Sequence, residues 1–289
     1  MNSEATKNKP AGTISCRIRR VSGGCVEECA DLLAVEEPLE IQLGYEQRGV
    51  RVYKSISVTM RTPGNDPELA VGFVLGEQII DQCSQIEEVS LGEENVVRVN
   101  LVAGVAVNLK RLERNFYTSS SCGVCGRASL AAIDFHGRVL SSDGPVFDPA
   151  VIDRLPATLR AAQVRFDSTG GLHAAALFDA TGKLISRHED VGRHNAVDKV
   201  IGASLLDGTQ ASLTQRMLFV SGRASFELMQ KALLAGIPIM AAIGAPSSLA
   251  VELAQYHGAT LLGFVREGRF NIYCGAARIG GQIETSQMR

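Results

Sequence analysis

The residues best suited to chemistry are Cys122 and Cys125, which lie in a run rich in Ser and Gly. The two residues between them allow both sulfurs to face one point, which could be a metal ion, a disulfide or a transferred sulfur atom. Zinc is the strongest alternative on spacing alone, but zinc usually takes four ligands. A four-cysteine site would need a second pair, such as Cys25 and Cys29.

A second group of ionisable residues lies between 188 and 195, where a predicted strand meets a predicted helix. Helix capping would explain only one of its members, Asp190. The group holds two His, two carboxylates and an Arg, which exceeds the needs of a cap, so we expect acid–base work or ligand binding. The candidate residues are His188, Asp190, Arg193 and His194. We expect His173 to face the same pocket, although a lone His among Ala residues is more often a core residue.

Glycine and arginine follow the predicted strands 217–220 and 260–265 at their carboxyl ends, in loops 221–225 and 266–269. Backbone amides and guanidinium groups in such loops can hold phosphate. A third loop, at 244–248, occupies the same position. Turn and cap chemistry is the plainer explanation, with Ser225 and Ser247 capping helices. Three loops at one sheet edge nevertheless predict a nucleotide or phosphate pocket. Its candidate residues are Ser221, Gly222, Arg223, Arg266, Glu267, Gly268 and Arg269.

The elements that position these residues change character along the chain. Alternating apolar residues predict hairpins at 39–58, 89–102 and 173–187, and capping signals predict helices from 65 to about 80 and from 148 to about 162. From 193 onward, helices and strands alternate, which predicts a parallel sheet covered by helices. The predicted helices are 193–203, 224–234 and 247–257, and the predicted strands are 217–220, 237–243 and 260–265. Ligands of such sheets bind beyond the carboxyl ends of the strands.

We therefore predict an α/β fold whose C-terminal core has parallel strands and covering helices, with a smaller α+β part before it. The predicted divisions are a disordered tail at 1–13, an N-terminal domain at 14–116, a mobile Cys-x-x-Cys loop at 117–127 and a C-terminal ligand-binding domain at 128–289.

Composition limits the kinds of partner. Lys and Arg total 29 against 31 Asp and Glu, so the net charge of -2 provides no positive field for nucleic acid or an anionic membrane. An anionic ligand must therefore be bound by local groups. We find no signal peptide and no apolar run of the roughly 18 residues that a membrane span needs. We expect a cytoplasmic protein that binds neither nucleic acid nor membrane.

Taken together, the motifs resemble the formate dehydrogenase accessory sulfurtransferase family, often called FdhD. The resemblance rests on five ordered segments: Cys-Gly-Val-Cys-Gly at 122–126, Thr-Gly-Gly-Leu-His-Ala-Ala at 169–175, His-Glu-Asp-Val-Gly-Arg-His at 188–194 with Asp198 and Lys199, 221–227, and 263–269. It is strong from 115 to 274 and weak in the N-terminal strands.

The resemblance implies a cytidine-deaminase-like core, without the zinc deaminase sequence pattern, in a homodimer. It implies that a cysteine desulfurase supplies sulfur to Cys122 as a persulfide, with Cys125 as helper. The sulfur then passes to the molybdenum or tungsten bis-guanine-dinucleotide cofactor of formate dehydrogenase. Segment 264–269 matches the family's cofactor-binding segment, which adds Phe264 and Val265 to the candidate residues. GDP is the accessible fragment of this cofactor, and we expect it to bind through Arg223, Arg266 and Arg269.

The resemblance assigns no role to four further cysteines, which leave a structural metal open: Cys16, Cys25, Cys29 and Cys83. The alternative function is a zinc-stabilised module that binds a nucleotide or cofactor without covalent chemistry.

Overall fold

The computed structural model describes residues 11–107, 139–141 and 143–281, and the strands within these ranges form three sheets. The first is a two-stranded antiparallel ribbon of β1 (Thr13–Ser22) and β2 (Cys25–Ala34), which the sequence analysis missed. Cys122, Cys125, the predicted loop at 117–127 and most of the predicted tail lie outside the described residues.

The second sheet has the order β4-β3-β6-β5 and confirms the two predicted N-terminal hairpins. Its strands are β3 (Glu37–Gln47), β4 (Val50–Arg61), β5 (Ile86–Leu91) and β6 (Val96–Leu101). Alternate residues of β3, such as Leu39 and Ile41, are fully buried against the core, as the period of two in a strand requires.

Helix α1 (Asp66–Gly76) follows β4 and begins with Pro67 in its first turn, as predicted. The helix ends four residues before Ile80, which is buried beyond it. Asn65 takes a left-handed conformation with φ of 60°, and its side chain makes no capping hydrogen bond.

The third sheet has the order β12-β11-β10-β9-β7-β8. Its strands are β7 (His173–Phe178), β8 (Leu184–Asp190), β9 (Met217–Val220), β10 (Ile239–Ala242), β11 (Thr260–Arg266) and β12 (Arg269–Cys274). The predicted parallel arrangement is confirmed for β9, β10 and β11. The third predicted hairpin is also confirmed, because β7 pairs antiparallel with β8. The antiparallel pairings of β7 with β9 and of β11 with β12 were not predicted.

The predicted helix from 148 to 162 is two helices, α2 (Pro149–Ile152) and α3 (Leu155–Ala162). Pro156 has no N–H to donate to the carbonyl of Ile152, so a continuous helix would lose that bond and clash. The remaining helices are α4 (Val164–Thr169), α5 (Arg193–Leu206), α6 (Phe226–Leu234) and α7 (Ser248–Tyr256). Of these, α5, α6 and α7 were predicted to within a few residues at each end.

Two hydrophobic cores lie on opposite faces of the third sheet. Along β9, Leu218 and Val220 belong to the core that holds α1, α5 and the second sheet, whereas Met217 and Phe219 belong to the core under α2 and α3. The N-terminal and C-terminal parts therefore share the larger core. The predicted domain boundaries and the relation to cytidine deaminases stay predictions.

Helices α1 and α5 approach each other backbone to backbone at glycines. A side chain at Gly72 would collide with the main chain of Asp198, and one at Gly202 would collide with the carbonyl of Glu68. This close approach fixes the position of α5, whose first turn carries two of the candidate site residues.

Candidate functional site

The topology of the third sheet brings several strand ends to one edge, which we call the strand-end edge. Because β7 runs antiparallel to β9, with Ala175 opposite Val220, the start of β7 lies beside the end of β9. The end of β8 is also there, since Asp190 pairs with His173. The carboxyl ends of β10 and β11 follow in order. The candidate residues from separate sequence segments therefore adjoin along this edge.

The three predicted phosphate loops continue the pairing of β9, β10 and β11 beyond the strands. The Gly244 N–H donates to the Gly222 carbonyl at 3.0 Å, and the Phe264 N–H donates to the Gly244 carbonyl at 3.1 Å. Phe264 has a φ of 52°, a conformation that is rare for a bulky residue and that is typical of functional or strained positions. The loops are adjacent, as their positions in the sequence predict.

An edge cluster of four ionisable side chains lies at the strand-end edge, and two of them, His173 and Arg193, lie next to Gly222. It consists of His173, Arg193, His194 and Glu227. A methyl group on Gly222 would lie 3.6 Å from His173 Nδ1 and 4.0 Å from Arg193 Cδ, which are ordinary contact distances. Partial burial lowers the pKa of His173, and the charges of Arg193 and His194 lower it further. The cluster therefore combines a neutral imidazole with a guanidinium.

Glu227, in the first turn of α6, faces His194. Its Oε2 lies 3.9 Å from Nε2 of His194, and this contact, more than any other, lowers the pKa of Glu227 to about 2. At that separation the two groups are not hydrogen-bonded, and they form an ion pair only when the imidazole is protonated. Sequence analysis included Glu227 in a family motif without giving it a role.

Helix capping was the simpler explanation for Asp190. Its side chain instead faces the interior, where it bonds with Asn195 and Lys199 in a group that we call the latch. Asp190 is fully buried, and its carboxylate accepts hydrogen bonds from Lys199 Nζ at 2.7 Å and Asn195 Nδ2 at 3.0 Å. The latch also holds the chain after β4. The Thr62 N–H donates to Asp190 at 3.1 Å, Lys199 donates to the Thr62 carbonyl at 2.8 Å, and Asn195 donates to the Met60 carbonyl at 2.8 Å.

Asp190 therefore does not cap α5, whose N-cap is Gly192 without a side-chain hydrogen bond. Ser247 does cap α7 by accepting from the Ala250 N–H, whereas Ser225 makes no capping bond to α6.

His188 lies two residues further into β8 than Asp190. Burial lowers its pKa to about 4, and the charges with the largest further effects are Glu68 of α1, which raises the pKa, and Lys199 of α5, which lowers it. Its neighbour Glu189 is buried and accepts a hydrogen bond from the Phe166 N–H at 3.0 Å. The structure thus brings His173, Arg193 and His194 together at the edge, places Asp190 inside and leaves His188 half-buried.

The remaining candidate residues lie along the same edge. Arg223, Arg266, Glu267, Gly268 and Arg269 are exposed. Arg266 and Arg269 face each other in the turn between β11 and β12, where Gly268 takes a φ of 76°. Val265 is buried, and the Ser221 hydroxyl accepts from the Ala174 N–H at 2.8 Å, so both serve the fold. Three strand intervals separate β11 from β7, or about 14 Å, which is long enough for an extended nucleotide.

The second half of the proposed four-cysteine zinc site is contradicted by the structure. Cys25 and Cys29 are both in β2, so four residues of extended strand separate them by about 13 Å. Two sulfurs on one zinc lie at most about 4.6 Å apart. Among the described residues, no group of three or more His, Cys, Asp or Glu side chains could hold a metal ion.

A cleft of about 300 Å³ lies elsewhere, between the end of β3 and residues 104–107. The described residues that line it include Tyr45 and Glu46 but no cationic side chain, so it is poorly suited to phosphate. Within the described ranges, none of the helices has both the length and the apolar character that crossing a membrane requires.

The fold and the edge define an α/β protein with a candidate anion-binding site at the ends of its strands. The model of the FdhD/NarQ family matches residues 34–280, and the chain belongs to this family.

Relatives match over nearly the whole chain. A protein of Streptomyces avermitilis named sulfur carrier protein FdhD is 45% identical over 94% of this chain and 97% of its own length. Its namesake from Mycolicibacterium paratuberculosis is 48% identical, over 91% and 97%. The fold is similar to a crystal structure described as a candidate formate dehydrogenase accessory protein from Desulfotalea psychrophila, with a TM-score of 0.73, 26% identity and coverage of 93% of this chain and 99% of the other.

Proposed function

We propose that this protein accepts sulfur from a cysteine desulfurase as a persulfide on Cys122 and delivers it to the molybdenum bis-guanine-dinucleotide cofactor, its substrate, for formate dehydrogenase. Two comparisons support the proposal: the relatives are named sulfur carriers, and the similar structure is described as a candidate formate dehydrogenase accessory protein. The observation that carries it is the strand-end edge, where cationic side chains and glycine-lined loops adjoin.

The first step is an exchange between a thiolate and a persulfide. The Cys122 thiolate attacks the outer sulfur of the desulfurase persulfide, a new S–S bond forms, the old one breaks, and the desulfurase cysteine leaves as a thiolate. Oxidation states balance, so this step needs no external oxidant. A reachable thiolate is the one requirement.

The second step releases the sulfur in reduced form. The Cys125 thiolate attacks the inner sulfur of the Cys122 persulfide, the bond to the outer sulfur breaks, and hydrosulfide leaves to become a ligand of the cofactor metal. The two electrons carried by the hydrosulfide come from the two cysteines, which become a disulfide. A dithiol reductant must then restore both thiols before the next cycle.

The strand-end edge suits the dinucleotide part of the substrate. Arg223, Arg266 and Arg269 are exposed and can form charge-assisted hydrogen bonds with phosphate. Arg193 and His194 stand at the other end of the edge, where the first turn of α5 also favours an anion. The net charge of -2 provides no long-range attraction, so binding depends on these short contacts.

The test of the proposal is persulfide formation on Cys122→Ala. The protein is incubated with a cysteine desulfurase and cysteine, and mass spectrometry locates any added sulfur. We expect one extra sulfur atom on Cys122 in the parent, none in Cys122→Ala, and an inactive formate dehydrogenase in cells that produce the variant. Cys274→Ala is the matched control, because burial raises the pKa of Cys274 and disfavours its thiolate.

A Cys122→Ala variant that still supports full formate dehydrogenase activity would contradict the proposal. About one tightly bound zinc per chain would support the zinc-stabilised binding module instead. The proposed partners are a cysteine desulfurase, formate dehydrogenase and a second copy of this chain.

A further inference from the structure

Helices α5 and α6 face each other through two charged contacts, which we call the inner and outer rungs. Residues four apart in a helix lie on the same face, so His194 and Asp198 of α5 stand opposite Glu227 and Lys231 of α6. The inner rung joins Asp198 to Lys231, and the outer rung joins His194 to Glu227.

The inner rung is buried and closed. Lys231 Nζ donates to both carboxylate oxygens of Asp198, at 2.7 and 2.9 Å, and the two side chains are 7% and 3% exposed. Helix α1 covers this pair: Lys231 Nζ lies 5.8 Å from the centre of the Phe73 ring, and a side chain on Gly76 would collide with it. The inner rung therefore fixes the spacing between α5 and α6.

The outer rung is looser and lies near the strand-end edge, where the charge of His194 lowers the pKa of His173. Its two side chains are 20% and 16% exposed, and Nε2 of His194 is a buried atom with no hydrogen-bond partner within the described part of the chain. The low pKa of Glu227 keeps its carboxylate ionised at physiological pH. An ionised carboxylate thus faces a ring nitrogen that no hydrogen bond holds.

We propose that Glu227 is a positioning residue, whose carboxylate holds the His194 imidazole at the strand-end edge so that the ring and Arg193 meet an anionic ligand together. This inference rests on the proposed function, because it takes the ligand to be the phosphate-bearing substrate. A carboxylate beside an imidazole fixes the orientation of the ring.

The neighbours of His194 explain why such a residue is needed. Arg193 is cationic, and it lies close enough to His173 to lower the pKa of that side chain. A protonated His194 would be repelled by Arg193 while the site is empty. Glu227 supplies the compensating negative charge from the opposite helix, and the inner rung keeps that helix at a constant distance.

The first experiment measures the ring without any ligand. Diethyl pyrocarbonate acylates accessible imidazole nitrogens, and mass spectrometry reports its rate at His194. Glu227→Gln keeps the shape of the side chain and removes the charge, so we expect acylation of His194 to become several times faster. Glu252→Gln, an exposed residue of α7, is the matched control and should match the parent rate. An unchanged rate in Glu227→Gln overturns the proposal.

The second experiment asks whether Glu227 acts through His194. Calorimetric titration with GDP compares the parent, Glu227→Gln, His194→Gln and the double variant. We expect Glu227→Gln to weaken GDP binding roughly tenfold in the parent and to change nothing when His194 is already Gln. Equal losses in both backgrounds overturn the proposal. A parent that binds no GDP contradicts the proposed function, and the acylation rates then decide the positioning role alone.

Discussion

The residues from 188 to 199 separate into two regions with opposite surroundings. The latch of Asp190, Asn195 and Lys199 is buried, and every contact described for it joins two parts of the protein. Arg193 and His194, from the same stretch of sequence, belong instead to the edge cluster. Its side chains are exposed or half-buried, and one imidazole nitrogen has no hydrogen bond among the described residues.

The difference teaches that ionisable residues close in sequence need not form one site. Alternation along β8 and the helical period of α5 send neighbouring side chains in different directions. Removing one partner of a buried, hydrogen-bonded charge pair is costly for the fold, whereas a partly exposed charge with unused bonding capacity can meet a ligand. Three measurements test this division.

The largest expected effect is on the latch. Lys199→Met leaves the fully buried carboxylate of Asp190 without its cationic partner, so we expect the free energy of unfolding to fall by about 3 to 5 kcal/mol. Urea denaturation measures this change. The control is Arg19→Gln, which breaks an ion pair whose side chains are 76% and 72% exposed and should cost less than about 1 kcal/mol. If the two variants lose similar free energies of unfolding, the buried contact between Lys199 and Asp190 does not have the effect described above.

Substitutions at the strand-end edge should weaken ligand binding and leave the stability of the fold nearly unchanged. Arg193→Ala and Arg269→Ala each remove one charge-assisted contact of about 1.5 to 3 kcal/mol, so GDP affinity should fall about tenfold or more. The free energy of unfolding should change by no more than about 0.5 kcal/mol. Calorimetry with GDP and ATP, alongside urea denaturation, checks both statements. Unchanged GDP affinity in a variant would show that its arginine is not part of the site. Equal affinity of the parent for GDP and ATP would contradict the preference for guanine.

The smallest expected effect is the pH dependence of stability caused by His188, which lies beside the latch. Burial lowers its pKa to about 4 in the folded protein, against about 6.5 in the unfolded chain. Between these values the unfolded chain binds more protons, so stability falls as pH drops through this window. The difference between the two pKa values corresponds to at most about 3.4 kcal/mol, and the partial exposure of His188 reduces this to about 2 kcal/mol or less. His188→Gln should lose this part of the pH dependence. If both proteins show the same pH profile, His188 is not buried as a neutral ring.

Much of the fold follows from local sequence signals. The strand at 217–220 was predicted at its exact ends, and most helices and hairpins were predicted within a few residues, because their apolar periodicity is clear. The ribbon of β1 and β2 was missed because most of its residues are exposed, so no alternation of burial marks it. The edge strand β12 was missed for a related reason, since its residues are half-buried or exposed.

The candidate site was predictable only in part. The adjoining loops followed from the general geometry of strand ends, and His173, Arg193 and His194 are indeed neighbours there. The inward direction of Asp190 could not be foreseen, because its partner Thr62 lies 128 residues away in the chain. Glu227 looked like an ordinary helical carboxylate, since only the packing of α6 against α5 brings it to His194.

The contact between Gly72 and Gly202 has a consequence for synthesis of the chain. These two glycines are 130 residues apart, so at about 5 to 20 residues per second the ribosome needs roughly 6 to 26 s to supply the partner of α1. During that interval α5 does not yet cover α1, so apolar residues that are buried in the folded protein stay exposed and can bind chaperones or aggregate. A delay in elongation between α1 and α5 should therefore affect the yield of folded protein more than an equal delay after α5.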